Sequence, residues 1–590
     1  MVFPLPFRHL FSFLAVLSLT FAQEEKRPPN VLIFLTDDQG WGDLSLHGNP
    51  NLETPHLDSL AREGASFANF YVCAVCAPTR AEFLTGRYHP KTGVSGVSEG
   101  SERLNPDEIT IADLFQEAGY ATGIFGKWHN GTQSPYHPLD RGFDEFYGFT
   151  SGHWGHYFSP PLDANRKRVK GEGYLPDDLT NKALAFIEAN RDRPFFCYVP
   201  YNTPHSPFYV DDDFFETFRD FVPTFRHRDP EKEDIPVTRA ALAMCENLDW
   251  NVGRILEKLD TLELKEETIV LFFTDNGPNS FRWNGGMKGK KGSVDEGGLR
   301  SPLFLRWPAA IAAGLELTPV LGAIDLLPTL AELAGVSLEG TKPLDGRSFA
   351  GLLAGDSADR SERLLFSTWR TKSSVRSNRF RLDEKGALFD IPNDRAQSLD
   401  VADVFPDVAS RLQAALHDYQ TEAQSLYDAN GVRPYTVGFA PSTTLPARDG
   451  VPHGSIERSS KAPNNSFFQN WTQEEDFITW DIEVGHSAIY QAVVYYTCPT
   501  GSEGTKVRLE YGPEATEATV LEAFDPPLWD KSKERVSESH YFVKDFRPLP
   551  LGKLSLSKGR GTLTLRCPHL ENDRGIDVYS LVLTASAEGR

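Results

Sequence analysis

The sequence predicts an α/β domain with a sheet flanked by helices, then a small α+β subdomain and an all-β sandwich module. In the N-terminal half, continuous apolar runs such as residues 31–36 alternate with amphipathic helical patterns, which is typical of parallel strands covered on both faces. Short strand-like runs and one long helical pattern follow up to residue 430. After residue 460, strand patterns separated by turn residues replace helical periodicity.

Composition and net charge limit the partners and the scaffold that this chain can have. The chain has 590 residues and a net charge of −22, which argues against a nucleic-acid partner. A site for anions must therefore be a local basic island. Six cysteines are few for an exported chain of this length, so disulfides are not its scaffold, although Cys498 and Cys567 could pair.

The N-terminus, residues 1–22, is predicted to be a signal peptide. Arg8 and His9 precede an apolar run over residues 10–21, and Ala22 offers a small residue for cleavage. The run is shorter than the roughly 20 residues of a membrane span, and no later stretch is long and apolar enough. We therefore expect an exported chain, secreted or periplasmic, without a membrane span.

Polar side chains follow four of the predicted strands, residues 31–36, 120–126, 195–200 and 269–274. The polar residues that follow them are Asp37, Asp38, Lys127, His129, His205, Asp275 and Asn276. In an open α/β sheet the carboxyl ends of parallel strands face one crevice, so we expect one shared site. The carboxylates and the amide offer oxygen ligands, which favours Ca²⁺ or Mg²⁺ over zinc.

A nucleophile candidate lies in the segment Cys-Ala-Pro-Thr-Arg, residues 76–80. Pro78 fits the first turn of a helix, so Cys76 lies at a helix N-terminus, where free N–H groups favour an anion. Arg80, at i+4, lies on the same face as Cys76. Cys73 and Cys76 also form a C-x-x-C pair, which leaves a redox pair, a disulfide or half a zinc site open.

The series of motifs resembles the type I sulfatases from about residue 28 to about residue 355. The matching segments, in order, are the strand-end Asp-Asp, C-x-P-x-R, Gly-Lys-Trp-His, Pro-His-Ser-Pro, Thr-Asp-Asn-Gly and Lys-Gly-x-x-x-Glu-Gly-Gly-x-Arg. The resemblance implies an alkaline-phosphatase-like fold. Asp295 departs from the family pattern, in which an aromatic residue is frequent there, and we expect no effect of this on catalysis.

The resemblance also implies chemistry for these residues. A dedicated formylglycine-generating enzyme would oxidise Cys76 to Cα-formylglycine. Its hydrate would ligate a metal, usually Ca²⁺ and less often Mg²⁺, together with Asp37, Asp38, Asp275 and Asn276. One hydrate hydroxyl would attack sulfur and displace the alcohol. Deprotonation of the other would then break the C–O bond to sulfate, so that sulfate leaves and the aldehyde returns.

The remaining catalytic residues have roles that follow from their charge and proton-transfer capacity. Arg80 would orient the hydrate, and Lys127 and Lys291 would hold sulfate oxygens. His205 would protonate the leaving alcohol and His129 would deprotonate the hydrate, although these two roles could be exchanged. Lys288 and Lys290 match a solvated basic loop better than a catalytic role.

Specificity must come from groups around these residues. Three stretches are candidates for the mouth of the crevice: residues 151–157, 208–237 and 281–284. The predicted substrate-binding residues are His153, Trp154, His156, Arg282 and Trp283. The tryptophans can stack on a sugar face or serve only as packing residues.

The predicted domains are residues 28–363 for catalysis, 364–430 for a small C-terminal subdomain, 431–459 for a linker, and 460–590 for a β-sandwich accessory module. The module is similar to carbohydrate-binding sandwiches but carries no motif for that role, and a purely structural appendage packed on the catalytic domain is an equal alternative.

The leading hypothesis is a secreted sulfatase that hydrolyses a sulfated glycan or a small sulfate ester. A phosphodiesterase or phosphonate hydrolase of the same superfamily and a degenerate glycan-binding protein are the alternatives. Activity on an aryl sulfate against an aryl phosphate separates the three.

Overall fold

A computed structural model describes residues 1–2, 27–356, 363–536 and 541–586 of the chain. Except for its first two residues, the predicted signal peptide lies outside the described residues. In the described part of the chain, no helix combines the length and the apolar character that crossing a membrane requires.

The catalytic half is built on one large mixed sheet. Its strands are β1 (Asn30–Thr36), β2 (Ala65–Tyr71), β3 (Ala121–Lys127), β4 (Glu145–Phe149), β5 (Pro161–Ala164), β6 (Lys167–Lys170), β7 (Phe195–Pro200), β8 (Thr268–Thr274), β9 (Arg300–Ser301), β10 (Leu303–Arg306) and β11 (Leu315–Gly322). They lie in the order β11-β2-β10-β8-β1-β7-β3-β4-β5-β6, and β9 pairs with β2. The neighbours β8, β1, β7, β3 and β4 are parallel, which confirms the predicted parallel core.

Helices cover both faces of this sheet. The α-helices of the described residues are, in chain order, α1 (Pro55–Arg62), α2 (Cys76–Thr85), α3 (Ile111–Glu117), α4 (Leu175–Ala189), α5 (Asp212–Phe215), α6 (Ile235–Thr261), α7 (Glu296–Leu299), α8 (Leu326–Ala334), α9 (Ala350–Leu353) and α10 (Pro406–Asn430), the last of which packs on the small sheet that follows. Because side chains alternate along a strand, Leu32 and Phe34 of β1 pack towards α1, α4 and α6. Ile33 and Leu35 pack towards α2, α3 and α8 on the other face.

A small antiparallel sheet with α10 follows the main sheet. Its strands are β12 (Leu365–Trp369), β13 (Lys372–Arg376), β14 (Phe380–Asp383) and β15 (Leu388–Asp390). Leu412 and Leu416 of α10 pack on Val375 and Leu382 of this sheet. The subdomain is tied to the main sheet by Glu296, which accepts hydrogen bonds from Arg300 and from Arg381 of β14.

Two six-stranded sheets enclose the C-terminal hydrophobic core. Their strands are β16 (Tyr435–Val437), β17 (Ser442–Pro446), β18 (Val451–His453), β19 (Glu457–Arg458), β20 (Phe468–Gln469), β21 (Phe477–Val484), β22 (Ala488–Thr497), β23 (Lys506–Tyr511), β24 (Glu514–Thr519), β25 (Arg547–Leu556), β26 (Gly559–His569) and β27 (Asp577–Ala585). Cys498 and Cys567 are both buried in this core and are unpaired.

The segment predicted as a linker, residues 431–459, differs from that prediction. Strands β16 and β18 pair with β21, and β17 pairs with β27, so the segment belongs to the two sandwich sheets. Its prolines lie at strand ends or on short edge strands, where a missing N–H is tolerated. The segment also contacts the catalytic domain, because Arg448 donates to Thr132 Oγ1 at 2.8 Å.

Candidate active site

Four parallel strands deliver the predicted polar residues to one edge of the main sheet. Asp37 and Asp38 follow β1, and Asp275 and Asn276 follow β8, all with no exposed surface. Lys127 ends β3 and is equally buried, while His205 follows β7 and is 9% exposed. The chain folds this way because adjacent parallel strands must end at the same edge.

Donor atoms converge beside Cys76. One ligand atom each of Asp37, Asp38, Cys76 and His205 lies within 4.8 Å of the others. Asn276 joins them because its Nδ2 donates to Asp38 Oδ1 at 2.8 Å. Three of the residues predicted to bind metal, Asp37, Asp38 and Asn276, thus lie in one buried pocket with the predicted nucleophile.

The oxygen atoms of this pocket fit a hard cation. Asp37 Oδ1, Asp38 Oδ2 and Asn276 Oδ1 are buried and accept no hydrogen bond from any described residue. Buried oxygens are costly without a partner, so three of them around one space fit a cation that takes oxygen ligands. Asp275 contributes differently, because its Oδ1 accepts from the Asp38 N–H at 3.2 Å and its Oδ2 from Arg80.

The pKa values of Asp38 and Asp275 are shifted in opposite directions. Burial would raise the pKa of Asp38, but His205 and Lys291 beside it hold that pKa well below its usual range. Burial and the Asp37 charge raise the pKa of Asp275 to about 6, against the opposing effect of Arg80. Asp38 is therefore the more firmly ionised of the two.

Cys76 begins α2 and is only 3% exposed. Burial raises the pKa of its thiol to about 12, in spite of the opposing charges of Lys127 and Lys291. A thiol of that pKa is neutral near pH 7, so the unmodified side chain is a poor nucleophile. Cys73 is also buried and unpaired, so the two cysteines form no disulfide here.

Thr79 and Arg80 fasten α2 to the strand ends. Thr79 Oγ1 donates to the carbonyl of Asp275 at 2.6 Å and accepts from the Cys73 N–H at 2.8 Å. Arg80, which has no exposed surface, donates from Nη1 to the Lys127 carbonyl at 2.7 Å and from Nη2 to Asp275 Oδ2 at 2.9 Å. This geometry positions residue 76 and gives Arg80 a scaffolding contact alongside its predicted role.

Two lysines place positive charge at the same pocket. Lys127 Nζ lies 2.6 Å from Asp37 Oδ2, and neither side chain is exposed. Lys291 Nζ lies 2.6 Å from Asp38 Oδ1 and its side chain is 22% exposed. Lys291 is thus the cation nearer to solvent. Lys127, Lys291 and Arg80 together form the local basic island that the sequence predicted for an anion site in this acidic chain.

His129 and His205 each keep one ring nitrogen unprotonated, because the other ring nitrogen donates to a backbone carbonyl. His205 Nδ1 lies 2.6 Å from the Ser206 carbonyl, which only a protonated Nδ1 can satisfy, and its Nε2 lies 3.5 Å from Asp38 Oδ2. His129 Nε2 likewise faces the Val97 carbonyl at 2.8 Å, and its Nδ1 is buried without a partner among the described residues. Burial lowers the pKa of His205 to about 3, and burial with the nearby Lys127 charge lowers that of His129.

The predicted loop of residues 151–157 lies beside this pocket. The His153 ring stacks on the His205 ring at 5.5 Å, and its Nε2 is buried without a partner among the described residues. Trp154 is half-buried and stacks on Phe149 at 5.1 Å. His156 is held by the Asp530 carbonyl at 2.9 Å, so it faces the C-terminal module.

Arg282 does not fit the predicted role in substrate binding. Its guanidinium is 1% exposed and donates to Asp43 Oδ2 at 2.6 Å and to the Asp38 carbonyl at 2.9 Å. A buried charge with these partners has little left to offer a ligand, so the residue supports the Asp38 loop instead. Trp283 packs at 5.5 Å on Phe225, a residue of the 208–237 insertion.

Sequence reasoning missed Tyr541, which belongs to the C-terminal module. Its hydroxyl lies 3.4 Å from Ser206 Oγ, and its ring meets the His153 ring at 4.5 Å. No motif marks this tyrosine, and more than 300 residues separate it from His205. No local signal could have found it, because its position depends on how the module packs.

Comparison with known proteins identifies the family of the chain. A family model described as Sulfatase matches residues 29–336. The steryl-sulfatase of Mus musculus is 32% identical over 437 residues, which cover 58% of this chain and 67% of that protein. The N-acetylgalactosamine-6-sulfatase of Homo sapiens is 34% identical over 378 residues, with coverage of 57% and 67%.

Solved structures share the fold of this chain. The structure of Ps i-CgsB in complex with k-i-k-neocarrahexaose is 27% identical, with a TM-score of 0.61 and coverage of 68% of this chain and 98% of that one. The phosphonate monoester hydrolase of Agrobacterium radiobacter shares the fold at 20% identity and a TM-score of 0.52, covering 68% and 96%.

Proposed function

This chain belongs to the sulfatase family of sulfuric ester hydrolases, and on that premise we propose that it is an exported enzyme that desulfates carbohydrates. We propose further that it acts through formylglycine at position 76 and a bound Ca²⁺ ion. The observation that carries the proposal is the pocket at the sheet edge. There Cys76, three cationic side chains and three buried oxygens that accept no hydrogen bond from the described residues lie together.

Asp37, Asp38 and Asn276 would hold the metal through their free oxygens, with Asp275 completing the acidic set. Oxygen ligands alone favour Ca²⁺ or Mg²⁺. When bound, such an ion supplies Lewis acidity and neutralises negative charge near the reacting group.

The raised pKa of Cys76 supports a modified residue at this position, because the thiol itself would be a poor nucleophile. As formylglycine hydrate, residue 76 would supply two hydroxyls. One would attack sulfur while the S–O bond to the departing alcohol breaks, and deprotonation of the other would break the C–O bond to sulfate and regenerate the aldehyde. A formylglycine-generating enzyme would be the partner in maturation.

The chain's own side chains would bind the sulfate and move protons. Lys127 and Lys291 would hold the sulfate oxygens, because their ammonium groups lie at the pocket and Lys291 faces its more open side. Arg80 would hold the strand ends in register with residue 76. His129 and His205 each present an unprotonated nitrogen, which fits acceptance of a proton, so the one that serves as acid must first be protonated.

A carbohydrate substrate is supported by the surroundings of the pocket and by the relatives. One relative is named for N-acetylgalactosamine-6-sulfate, and one similar structure was solved with a neocarrahexaose. His153 and the half-buried Trp154 would line the entrance on the side of residues 151–157. Arg282 does not belong to this set, because its guanidinium is already bound to Asp43 and to the Asp38 carbonyl.

The test compares purified enzyme on 4-nitrophenyl sulfate and 4-nitrophenyl phosphate, followed by a screen of defined sulfated glycans for released sulfate. We expect sulfate ester hydrolysis to dominate. A preference for the phosphate would move the chain to the phosphodiesterase or phosphonate hydrolase alternative. Binding of glycans without turnover, in protein shown by mass spectrometry to carry the matured residue 76, would identify a degenerate binding protein.

A further inference from the structure

A cavity of about 600 Å³ lies between the catalytic domain and the C-terminal β-sandwich. The catalytic domain contributes Trp154, His156 and strand β6, and the module contributes Trp529, Lys544 and Phe546. A second cavity of about 310 Å³ adjoins it, because both are lined by Trp154, Arg168, Asn465 and Tyr579. The two cavities form one elongated space along the domain interface, which we call the interface cleft.

The interface cleft leads towards the active site. Residues 151–158 and residues 541–546 both connect the cleft with the active site. At the active-site end, the His153 and Tyr541 rings meet at 4.5 Å, beside His205. Further along, a Cβ on Gly155 would lie 2.4 Å from Asn465 Nδ2 and 2.7 Å from Val543 Cγ2, so the backbone at Gly155 lies close against side chains of the C-terminal module. Tyr541 and Lys544, which lines the cleft, are three residue steps apart, which is at most about 11 Å of extended chain.

Two cations in the interface cleft are not neutralised by carboxylates. Arg168 and Lys170 lie on β6, are exposed, and form no ion pair with any described residue. The Arg168 guanidinium lies over the Tyr495 and Tyr579 rings, 5.1 and 5.4 Å from their centroids, which fixes its direction. Lys544 differs, because Asp577 at 2.6 Å and Asp525 at 3.3 Å already balance its charge.

Aromatic surface lies next to these cations. Trp529 is half-buried, and its indole N–H donates to Asp545 Oδ1 at 3.1 Å while its backbone N–H donates to the Val543 carbonyl at 2.7 Å. Trp154 is held by its stacking on Phe149. Aromatic faces held in place beside unpaired cations, with an amide at Asn465, suit a ligand that has apolar ring faces, hydroxyls and negative charge.

From this arrangement we propose that the interface cleft binds the anionic sugar units that flank the sulfate ester, so the β-sandwich is part of the substrate site. The inference rests on the proposed function and deepens it, because it selects oligosaccharides over monosaccharides. Arg168 and Lys170 bind the sulfate or carboxylate of a neighbouring unit, and Trp154 and Trp529 contact ring faces.

The test measures binding and turnover separately in the full-length chain. Dissociation constants are determined calorimetrically for hexasaccharides of chondroitin 6-sulfate, κ-carrageenan, hyaluronan and neutral maltodextrin, in a Cys76→Ala background so that no ligand is consumed. The double variant Arg168→Ala/Lys170→Ala is compared with Lys167→Ala, which removes an exposed lysine from the same strand but outside the cleft. Turnover of 4-nitrophenyl sulfate is measured for the same substitutions with Cys76 intact.

We expect the double variant to bind at least one sulfated hexasaccharide at least about tenfold more weakly, because two charge-assisted contacts are lost, while Lys167→Ala binds as the parent does. Aryl sulfate turnover should stay within about twofold in both. Binding of hyaluronan as well would identify carboxylate as an accepted anion, and binding of the sulfated chains alone would identify sulfate.

Equal dissociation constants for the double variant and Lys167→Ala would overturn the assignment, as would failure of every hexasaccharide to bind an enzyme that hydrolyses the aryl sulfate. Conversely, charge-dependent binding in a chain that carries formylglycine at residue 76 by mass spectrometry, yet does not hydrolyse the aryl sulfate, would refute the proposed function and leave the cleft assignment standing.

Discussion

Arg80 and Asp275 form an ion pair of 2.9 Å in which neither side chain has any exposed surface. The pair joins the helix that carries Cys76 to the end of β8, and Arg80 also bonds to the carbonyl of Lys127 at the end of β3. Removing one partner of such a pair leaves the other charge buried without compensation.

Asp275→Ala should therefore lower the free energy of unfolding by roughly 3–5 kcal/mol. Because Asp275 is also one of the predicted metal-binding carboxylates, we expect the same variant to lose metal binding and activity. Metal content by elemental mass spectrometry and urea denaturation check the two effects. Asp275→Asn keeps the shape of the side chain and separates metal loss from unfolding, and Asp192→Ala removes an exposed carboxylate as a control. Wild-type metal content in folded Asp275→Ala would place the metal elsewhere.

Conversion of Cys76 to formylglycine predicts a specific mass. The peptide that contains residue 76 should be about 18 Da lighter than its cysteine form as the free aldehyde, because the thiol must be replaced before the residue can act. Protein made without a maturing enzyme should fold normally and be inactive. A fully active preparation with an unmodified thiol at residue 76 would exclude this mechanism.

Trp154→Ala and Arg282→Ala should differ in which substrates they affect and in their effect on stability. Trp154→Ala should lower kcat/KM on an oligosaccharide at least about tenfold and leave aryl sulfate turnover within about threefold, because remote binding energy is lost only for the larger substrate. Arg282→Ala should impair both substrates and lower stability, since it leaves Asp43 unpaired in a buried site. Thermal denaturation and steady-state kinetics distinguish them, and a selective glycan defect in a stable Arg282→Ala would restore its predicted substrate role.

Glu296 should make the stability of the enzyme depend on pH. Burial opposes ionisation, but Arg300, Arg376 and Arg381 hold the pKa of Glu296 at about 2, below its ordinary value of 4.5. A depressed folded-state pKa stabilises the fold above the unfolded value, and this contribution is lost as pH falls from about 4.5 towards 2. Its size is of the order of 3 kcal/mol.

Glu296→Gln should remove that contribution. We expect it to lower the free energy of unfolding near pH 7 and to flatten its decline between about pH 5 and pH 3, measured by urea denaturation. Glu117→Gln, at an exposed position on α3, serves as the control. An unchanged pH slope in Glu296→Gln would show that other carboxylates carry the acid sensitivity.

The sequence alone determined the catalytic sheet and the residues at its edge. Apolar runs that end in Asp37-Asp38 and Asp275-Asn276 indicate buried parallel strands, and adjacent parallel strands must end side by side. The strands and their polar ends depend on local patterns, which a sequence displays directly. The proximity of these residues to Lys127 depends in addition on the order β1-β7-β3, which only the structure gives.

Only the tertiary structure decided which polar and aromatic side chains face the crevice. Arg282 looks like a surface ligand in sequence, but Asp43, more than 200 residues earlier, neutralises it in the interior. Residues 431–459 have the composition of a linker, yet strands from residues 477–585 pair with them. Tyr541 reaches His153 because the β-sandwich packs on the catalytic domain. The positions of Arg282, residues 431–459 and Tyr541 depend on contacts between residues far apart in the chain and on the burial that those contacts create. The local sequence pattern encodes neither the contacts nor the burial.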